Sequence, residues 1–332
     1  MGWKGALRSM EAGIRRAERE SRRQQNDLLR QQKQLQKMLE RERAAFEVQL
    51  NKNRMDLLRS IHKECGPAWD WHALASAPAP TPPIRSHYRQ EKAASALEGF
   101  SPGFWDKLFR RVESKKEALR RAVASGEDAD AKEYLEALTA HQRAFSEWQE
   151  KREIAERVIA GDLQAFKEVI EELAPFSEIS DLGSSVSFQF ANSSTIDVTL
   201  TVNGQDVIPG EIKSLLQSGK LSSKKMPQGR FYELYQDYVC GCVLRVAREL
   251  FALLPFDTVI VTAVGEVVNV QTGHLEEKPL LSVAIPRRTL GKLDLDAIDP
   301  SESMKNFIHR MDFKKNKGFL VVDRIEPASL SN

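Results

Sequence analysis

The clearest pattern of apolar and polar positions along this chain lies in its first sixty residues. Between Leu7 and Ile61 there is no proline, there is no glycine after Gly13, and good helix formers dominate. Apolar side chains recur every eleven residues in two series, which are Leu28, Leu39, Leu50 and Ile61, and Leu35, Phe46 and Leu57. Eleven residues in three turns give about 3.67 residues per turn, close to the α-helix itself. The pattern therefore predicts one long helix over residues 1–64, whose C-terminal part packs against a partner nearly straight or with a slight right-handed supercoil.

A single apolar stripe on so polar a helix cannot be buried by that helix alone. The partner is either a second copy or another helix of the same chain, and a lone solvated helix is the alternative. In the first half of the helix Leu7, Ile14, Leu28 and Leu35 are seven or fourteen residues apart, and polar residues at Ser21, Gln24 and Gln31 weaken this part. We therefore expect a homo-oligomer formed by a coiled coil through residues 28–61.

Charge sets the same helix apart from the rest of the chain. Residues 1–64 carry 16 Lys and Arg against 9 Asp and Glu, a formal charge of +7, whereas the remaining residues carry −5. A basic helix can contact nucleic acid or another anionic surface, and it can equally be a solvated face. The charge pattern alone leaves both readings open.

Cysteine usage and hydropathy bear on the compartment. Cys65, Cys240 and Cys242 form no disulfide framework and fit a reducing environment. The N-terminus lacks the apolar run of a signal peptide, and no stretch reaches the roughly 18 apolar residues of a membrane span. These features predict a cytoplasmic protein with no membrane partner.

Proline and glycine divide the middle of the chain. Residues 65–100 contain the segment Ala77–Pro83, which predicts a Pro-rich connector with semi-rigid polyproline geometry. Ser101-Pro102 is typical of a helix start, Ser125–Asp128 is typical of a turn, and an amphipathic pattern continues to residue 160. We therefore predict an antiparallel helical hairpin over 101–160, a stalk that could carry a protein partner.

After Pro175 the apolar period changes from helical to alternating. With a helix at 162–173 in front, the pattern predicts strands at 186–190, 195–202 and 205–213, a helix at 230–254 and a strand at 257–264. Beyond these we predict a hairpin around Thr272-Gly273, a helix at 299–311 and a strand at 319–322. The fold class is thus α+β: a long N-terminal coiled-coil helix and a helical hairpin, then a mixed α/β domain over 161–332.

The order α-β-β-β-α-β and the segment TIDVTLTVNGQDVIPGEIKS (195–214) together carry a resemblance. They resemble the core of the restriction-endonuclease-like PD-(D/E)xK nuclease superfamily, which has an aspartate on the second strand and Glu-x-Lys on the third. The matching residues are Asp197, Glu211 and Lys213. The resemblance implies that Asp197 and Glu211 bind Mg²⁺ and that Lys213 helps to activate the attacking water. The stretch 235–254 is also similar to uncharacterised bacterial coiled-coil proteins.

Register decides whether these three residues could meet. A two-residue turn at Asn203-Gly204 would point Asp197 away from Glu211, because strand side chains alternate. A three-residue loop, either 202–204 or 203–205, would place Asp197, Glu211 and Lys213 on one face. Such a loop would also bring five aliphatic side chains together on the other face: Ile196, Val198, Leu200, Ile208 and Ile212. The apolar pattern thus favours the register that metal binding needs, and an ordinary hairpin with a solvated polar face is the alternative.

Two functional hypotheses follow. Basic residues downstream of the motif could hold a nucleic-acid backbone; these are Lys220, Lys224, Lys225 and Arg230. The first hypothesis is therefore a metal-dependent nuclease or nucleic-acid-binding protein, oligomerised by its coiled coil and acting in defence against foreign DNA. The second is a non-catalytic coiled-coil scaffold that assembles partners.

Overall fold

The computed structural model describes the backbone of residues 3–104, 110–177, 184–202, 204–268 and 271–330, with side chains from residue 29 onward. The chain divides into two compact units. The sheet unit combines residues 1–68 with 169–332, and the helical unit contains residues 69–168. The heptad positions before residue 29, including Leu7, Ser21 and Leu28, lie outside the described side chains.

The bounds of the elements are as follows. The described helices are α1 (Trp3–Ser60), α2 (Trp71–Ser76), α3 (Tyr88–Glu98), α4 (Val112–Ile159), α5 (Leu163–Leu173), α6 (Gln228–Leu253), α7 (Arg287–Leu290) and α8 (Pro300–Ser303). The described strands are β1 (Ser185–Asn192), β2 (Thr195–Thr201), β3 (Glu211–Leu215), β4 (Leu221–Lys225), β5 (Thr258–Val268), β6 (Leu275–Pro286), β7 (Ile308–Lys314) and β8 (Gly318–Leu320). The α+β class, with a long N-terminal helix and a C-terminal mixed sheet, is confirmed.

A six-stranded mixed sheet forms the centre of the sheet unit, in the order β1-β2-β5-β6-β7-β8. Strands β2 and β5 are parallel, and the other neighbouring pairs are antiparallel. Helix α6 returns the chain to β5 and contacts both that strand and α1. Residues 238–247 of α6 are all buried, including Tyr238, Cys240 and Cys242.

The third strand of the predicted nuclease-like core lies in a different sheet. β3 pairs with β4 in a two-stranded antiparallel sheet, and β2 is paired with β1 and β5. The predicted return strand at 205–213 was largely wrong: only residues 211–213 lie in a strand, β3. Residues 205–207 form a 3-10 turn, and Val202 N donates to Val264 O at 2.9 Å. Pro209 gives the reason, because it has no N–H to donate to a ladder. Asn203 lies outside the described residues.

The predicted helix at 299–311 was largely wrong. Its start is correct, since the carboxylate of Asp299 accepts a hydrogen bond from Glu302 N at 3.0 Å. The helix ends at Ser303, and residues 308–314 form β7 beside β6, with Leu281 opposite Met311. Burial alternates along β7 with a period of two, which a helix cannot accommodate.

Helix α1 docks on its own chain through its C-terminal third. The docking face contains residues spaced alternately four and three apart: Ala44, Val48, Asn51, Met55 and Leu58. Leu58 is 2% exposed, and the amide of Asn51 bonds the backbone of β3 at Glu211 O (3.1 Å) and Lys213 N (3.3 Å). Ile61 follows the end of α1 and packs near Gly241 of α6, so it belongs to the core. Its predicted place in the self-association stripe was wrong.

The predicted Pro-rich connector contains two helices, α2 and α3, which pack against α4. The proline segment between them lies along α4. Trp148 donates its indole N–H to Ala77 O at 2.9 Å, and His141 Nε2 lies 3.2 Å from Pro80 O. Residues 69–100 are therefore part of the packed helical unit.

The helical hairpin predicted over 101–160 was wrong, because α4 runs without a turn through Ser125–Asp128. Gly126 lies where the start of α3 approaches the helix most closely. A Cβ there would stand 2.9 Å from the carbonyl carbon and oxygen of Arg89. One turn later the buried carboxylate of Asp130 accepts hydrogen bonds from the N–H groups of Arg89 and Gln90, each at 3.0 Å. The glycine that suggested a turn thus serves helix packing, and α3 supplies the antiparallel partner.

Candidate functional site

Asp197 lies in the middle of β2, on the face opposite Ile196, Val198 and Leu200, which are fully buried as predicted. Its carboxylate is 12% exposed and forms a 2.8 Å ion pair with Arg324. The two side chains line a cleft of about 300 Å³ together with residues of β1. Asp197 is thus held by a guanidinium from the C-terminal segment.

Glu211 and Lys213 lie on β3 and make different contacts. Glu211 accepts a hydrogen bond from the Ser223 hydroxyl across the two-stranded sheet. The Lys213 ammonium forms a 2.9 Å ion pair with Glu47 of α1, and this contact lowers the pKa of Glu47 below its ordinary value. Lys213 therefore fastens β3 to the long helix.

The structure does not assemble the three motif residues as the hairpin register predicted. Asp197 belongs to the large sheet, whereas Glu211 and Lys213 belong to the small one. Among the residues that the structure describes, no group of three or more His, Cys, Asp and Glu side chains is arranged to hold a metal ion. The predicted alternation of side chains along β2 is confirmed. The predicted pairing of β2 with the strand that carries Glu211 and Lys213, on which the site depends, was wrong.

The basic residues predicted to bind nucleic acid lie around the two-stranded sheet. Lys224 and Lys225 are on β4, Lys220 is in the turn before it, and Arg230 is in the first turn of α6. All four are exposed, and no ion pair is found for them within the described residues. The turn also contacts α1, since a Cβ on Gly219 would meet the side chain of Arg41 at 3.3 Å. A basic surface thus extends from the β3–β4 turn to α1.

A second candidate surface is the apolar stripe on α1. Five large side chains of the predicted eleven-residue series are exposed, and their exposed fractions are: Leu35 58%, Leu39 57%, Phe46 69%, Leu50 59% and Leu57 47%. At about 100° per residue they lie on the side of the helix opposite the docking face. We call these five residues the outer stripe.

The eleven-residue pattern predicts the outer stripe, whereas the docking face was not predicted. The signal was present, because Ala44, Val48, Met55 and Leu58 carry a second repeat of four and three residues. That repeat is hard to recognise in the sequence, because Ala44 is small and Asn51 is polar. The structure shows that α1 has two apolar faces, and that the docking face is buried against α6 and β3.

No helix in the described ranges is both long and apolar enough to cross a membrane. Comparison of the chain with protein-family models, with curated proteins and with solved structures found no match.

Proposed function

We propose that this protein is a self-associating scaffold, in which α1 pairs with α1 of a second copy through the outer stripe. The observation that carries the proposal is the division of α1 into two opposite apolar faces. The docking face anchors the helix to the sheet unit, while five large apolar side chains on the other face remain 47–69% exposed. Contiguous apolar surface of this kind is typical of an interaction site.

The spacing of the outer stripe favours a second copy as the occupant. Side chains of one helix interlock with those of another over several turns when both helices have the same repeat. Leu35, Phe46 and Leu57 are eleven residues apart, as are Leu39 and Leu50. Every copy of the chain supplies a helix with that period. Pairing of the two α1 helices would join the sheet units of two copies.

Self-association is tested with the double variant Leu39→Glu/Leu50→Glu. We expect the wild-type protein to sediment as a dimer or larger assembly of the 37.6 kDa chain. Two buried charges per helix should weaken association by about 100-fold or more, so that the variant sediments as a monomer at micromolar concentration.

The control for this test is Ala45→Glu. Ala45 is exposed on α1 about 110° around the helix from the centre of the outer stripe, so this variant adds a charge outside the stripe. It should sediment like the wild type. A monomeric wild type, or a double variant that assembles as the wild type does, would contradict the proposal.

The basic surface supports a second candidate function, binding of a nucleic-acid backbone. Lys220, Lys224 and Lys225 are exposed, and the turn that carries Lys220 contacts Arg41 through Gly219, so these charges are available to phosphates. Cleavage of that nucleic acid with Mg²⁺, in defence against foreign DNA, is what the sequence resemblance implies. The separate positions of Asp197 and Glu211 add no support to that step.

Nucleic-acid binding is tested with Lys224→Glu/Lys225→Glu. We expect the wild-type protein to bind a single- or double-stranded oligonucleotide in fluorescence anisotropy, and the variant to bind about tenfold more weakly. The slope of log K against log salt should also fall, because fewer counterions are released. Lys132→Glu/Lys151→Glu makes the same charge change on exposed lysines of α4 and should leave binding unchanged. Equal losses in both variants would indicate a diffuse charge effect and would reject this surface.

A further inference from the structure

A row of basic side chains on α1 leads onto the β3–β4 hairpin. Lys33, Lys37 and Arg41 are exposed and four residues apart, so they lie along one side of the helix at intervals of about 6 Å. At about 100° per residue this row is in line with the docking face to within roughly 20°, and α1 contacts both β3 and β4. The row meets the hairpin at Gly219, where a Cβ would stand 3.3 Å from the Arg41 side chain. We call the row and the hairpin lysines the basic track, which consists of Lys33, Lys37, Arg41, Lys220, Lys224 and Lys225.

Few opposing charges lie beside the basic track. No Asp or Glu occurs in the sequence between Glu211 and Glu233, a stretch that includes all of β4 and the turn before it. On α1, Glu40 borders the row, whereas Glu42 is turned toward the outer stripe. Within the part of the chain that the structure describes, no ion pair is found for the side chains of the track. Their charges are therefore available to an anionic polymer.

The basic row and the outer stripe are on opposite sides of α1. The centre of the row is about 170° around the helix from the centre of the outer stripe. Two copies that pair through their outer stripes therefore leave both rows uncovered. The two rows then face away from each other, on opposite sides of the paired helices.

The straightness of the row favours a duplex as its ligand. Duplex DNA carries about one negative charge per 1.7 Å of its axis and is stiff, with a persistence length of about 50 nm. A straight row of cations on a helix can contact several phosphates of such a rod without bending it. Proteins that bind single strands generally add aromatic side chains on which bases stack, whereas the track consists of Lys and Arg.

We propose that the self-associated protein bridges two nucleic-acid duplexes, one held by the basic track of each copy. The inference rests on both proposed functions, because pairing of α1 supplies two tracks and each track binds phosphates. Contacts with phosphates carry no base information. Bridging is therefore independent of sequence and is weakened by salt.

The test is a capture experiment with the full-length protein, in which a duplex fixed on beads retains a second, fluorescently labelled duplex. We expect wild-type protein to retain the second duplex at about 50 mM salt and to release it by about 200 mM. Lys33→Glu/Lys37→Glu should bind a single duplex about tenfold more weakly in anisotropy, and should retain less of the second one, while sedimenting as the wild type does. Leu39→Glu/Leu50→Glu should keep most of its affinity for a single duplex but retain about tenfold less of the second one.

A matched control separates the track from a general effect of charge. Lys132→Glu/Lys151→Glu makes the same charge change on exposed lysines of α4. It should retain the second duplex as the wild type does. Equal losses in this variant and in Lys33→Glu/Lys37→Glu would overturn the inference.

The outcomes distinguish failure of the inference from failure of the proposed functions. A wild-type protein that assembles and binds one duplex, but retains no second duplex, would overturn bridging and leave both proposed functions standing. A monomeric wild type, or one that binds no nucleic acid, would contradict a proposed function and bridging with it. Capture that persists in Leu39→Glu/Leu50→Glu would overturn bridging through paired helices. Tighter binding to the single strand, or to phosphatidylserine vesicles, would overturn the assignment of the track to a duplex.

Discussion

Replacement of Leu58 by alanine should lower the free energy of unfolding by about 2–4 kcal/mol. Leu58 is 2% exposed and lies on the docking face of α1, where it is among the largest fully buried side chains. Truncation removes its apolar contacts and leaves a cavity that a helix fixed at several other points cannot close. Urea denaturation followed by circular dichroism should show the loss as an earlier transition.

The neighbouring leucine is the matched control. Leu57 is 47% exposed and belongs to the outer stripe. Leu57→Ala should change the free energy of unfolding of the isolated chain by less than about 0.5 kcal/mol, as for other exposed positions. Under the proposed self-association it should instead weaken assembly in sedimentation experiments. Equal destabilisation by the two substitutions would mean that α1 presents a different face to the sheet unit.

Replacement of Arg287 by alanine should destabilise the sheet unit by about 2–4 kcal/mol. Its guanidinium donates to three carbonyl oxygens at the end of α6 and just beyond it: Phe251 O at 2.8 Å, Leu254 O at 2.6 Å and Phe256 O at 2.7 Å. It also lies 4.7 Å above the ring of Phe251. Alanine would leave several carbonyl groups without their charged donor.

Two variants separate this effect from loss of charge. Arg287→Lys keeps the charge but cannot reach three divergent carbonyls from one ammonium group, so it should restore only a minor part of the stability. Arg288→Ala removes the adjacent exposed arginine and should be nearly neutral. Differential scanning calorimetry of the three variants measures the differences. Full rescue by lysine would show that charge alone, and not the geometry of the guanidinium, supports the end of α6.

The fold could be predicted from sequence wherever local pattern and tertiary environment agree. Helix α1 and the alternation of β2 follow from periodicity, and the hairpin of β5 and β6 follows from Thr272-Gly273, with Gly273 at φ +72°. Prediction failed where the role of a residue depends on a contact with a residue distant in sequence. Gly126 resembled a turn residue because nothing in the local sequence shows that Arg89 packs against it.

The candidate site shows the same limit. Asp197, Glu211 and Lys213 have the spacing of a nuclease motif, but spacing does not determine which strands pair. Pro209 in the supposed return strand was the local sign that the ladder would break. The partners that define their environment, Arg324 and Glu47, are 127 and 166 residues away along the chain.

The sequence by itself determined that α1 is one helix with an apolar stripe, because helical period and composition are local properties. Only the tertiary structure decided which side of that helix the chain uses for itself. Leu57 and Leu58 are identical in chemistry and adjacent in sequence, yet one is 47% exposed and the other 2%. A rotation of about 100° between successive residues separates them, and the positions of α6 and β3 fix which of the two is covered.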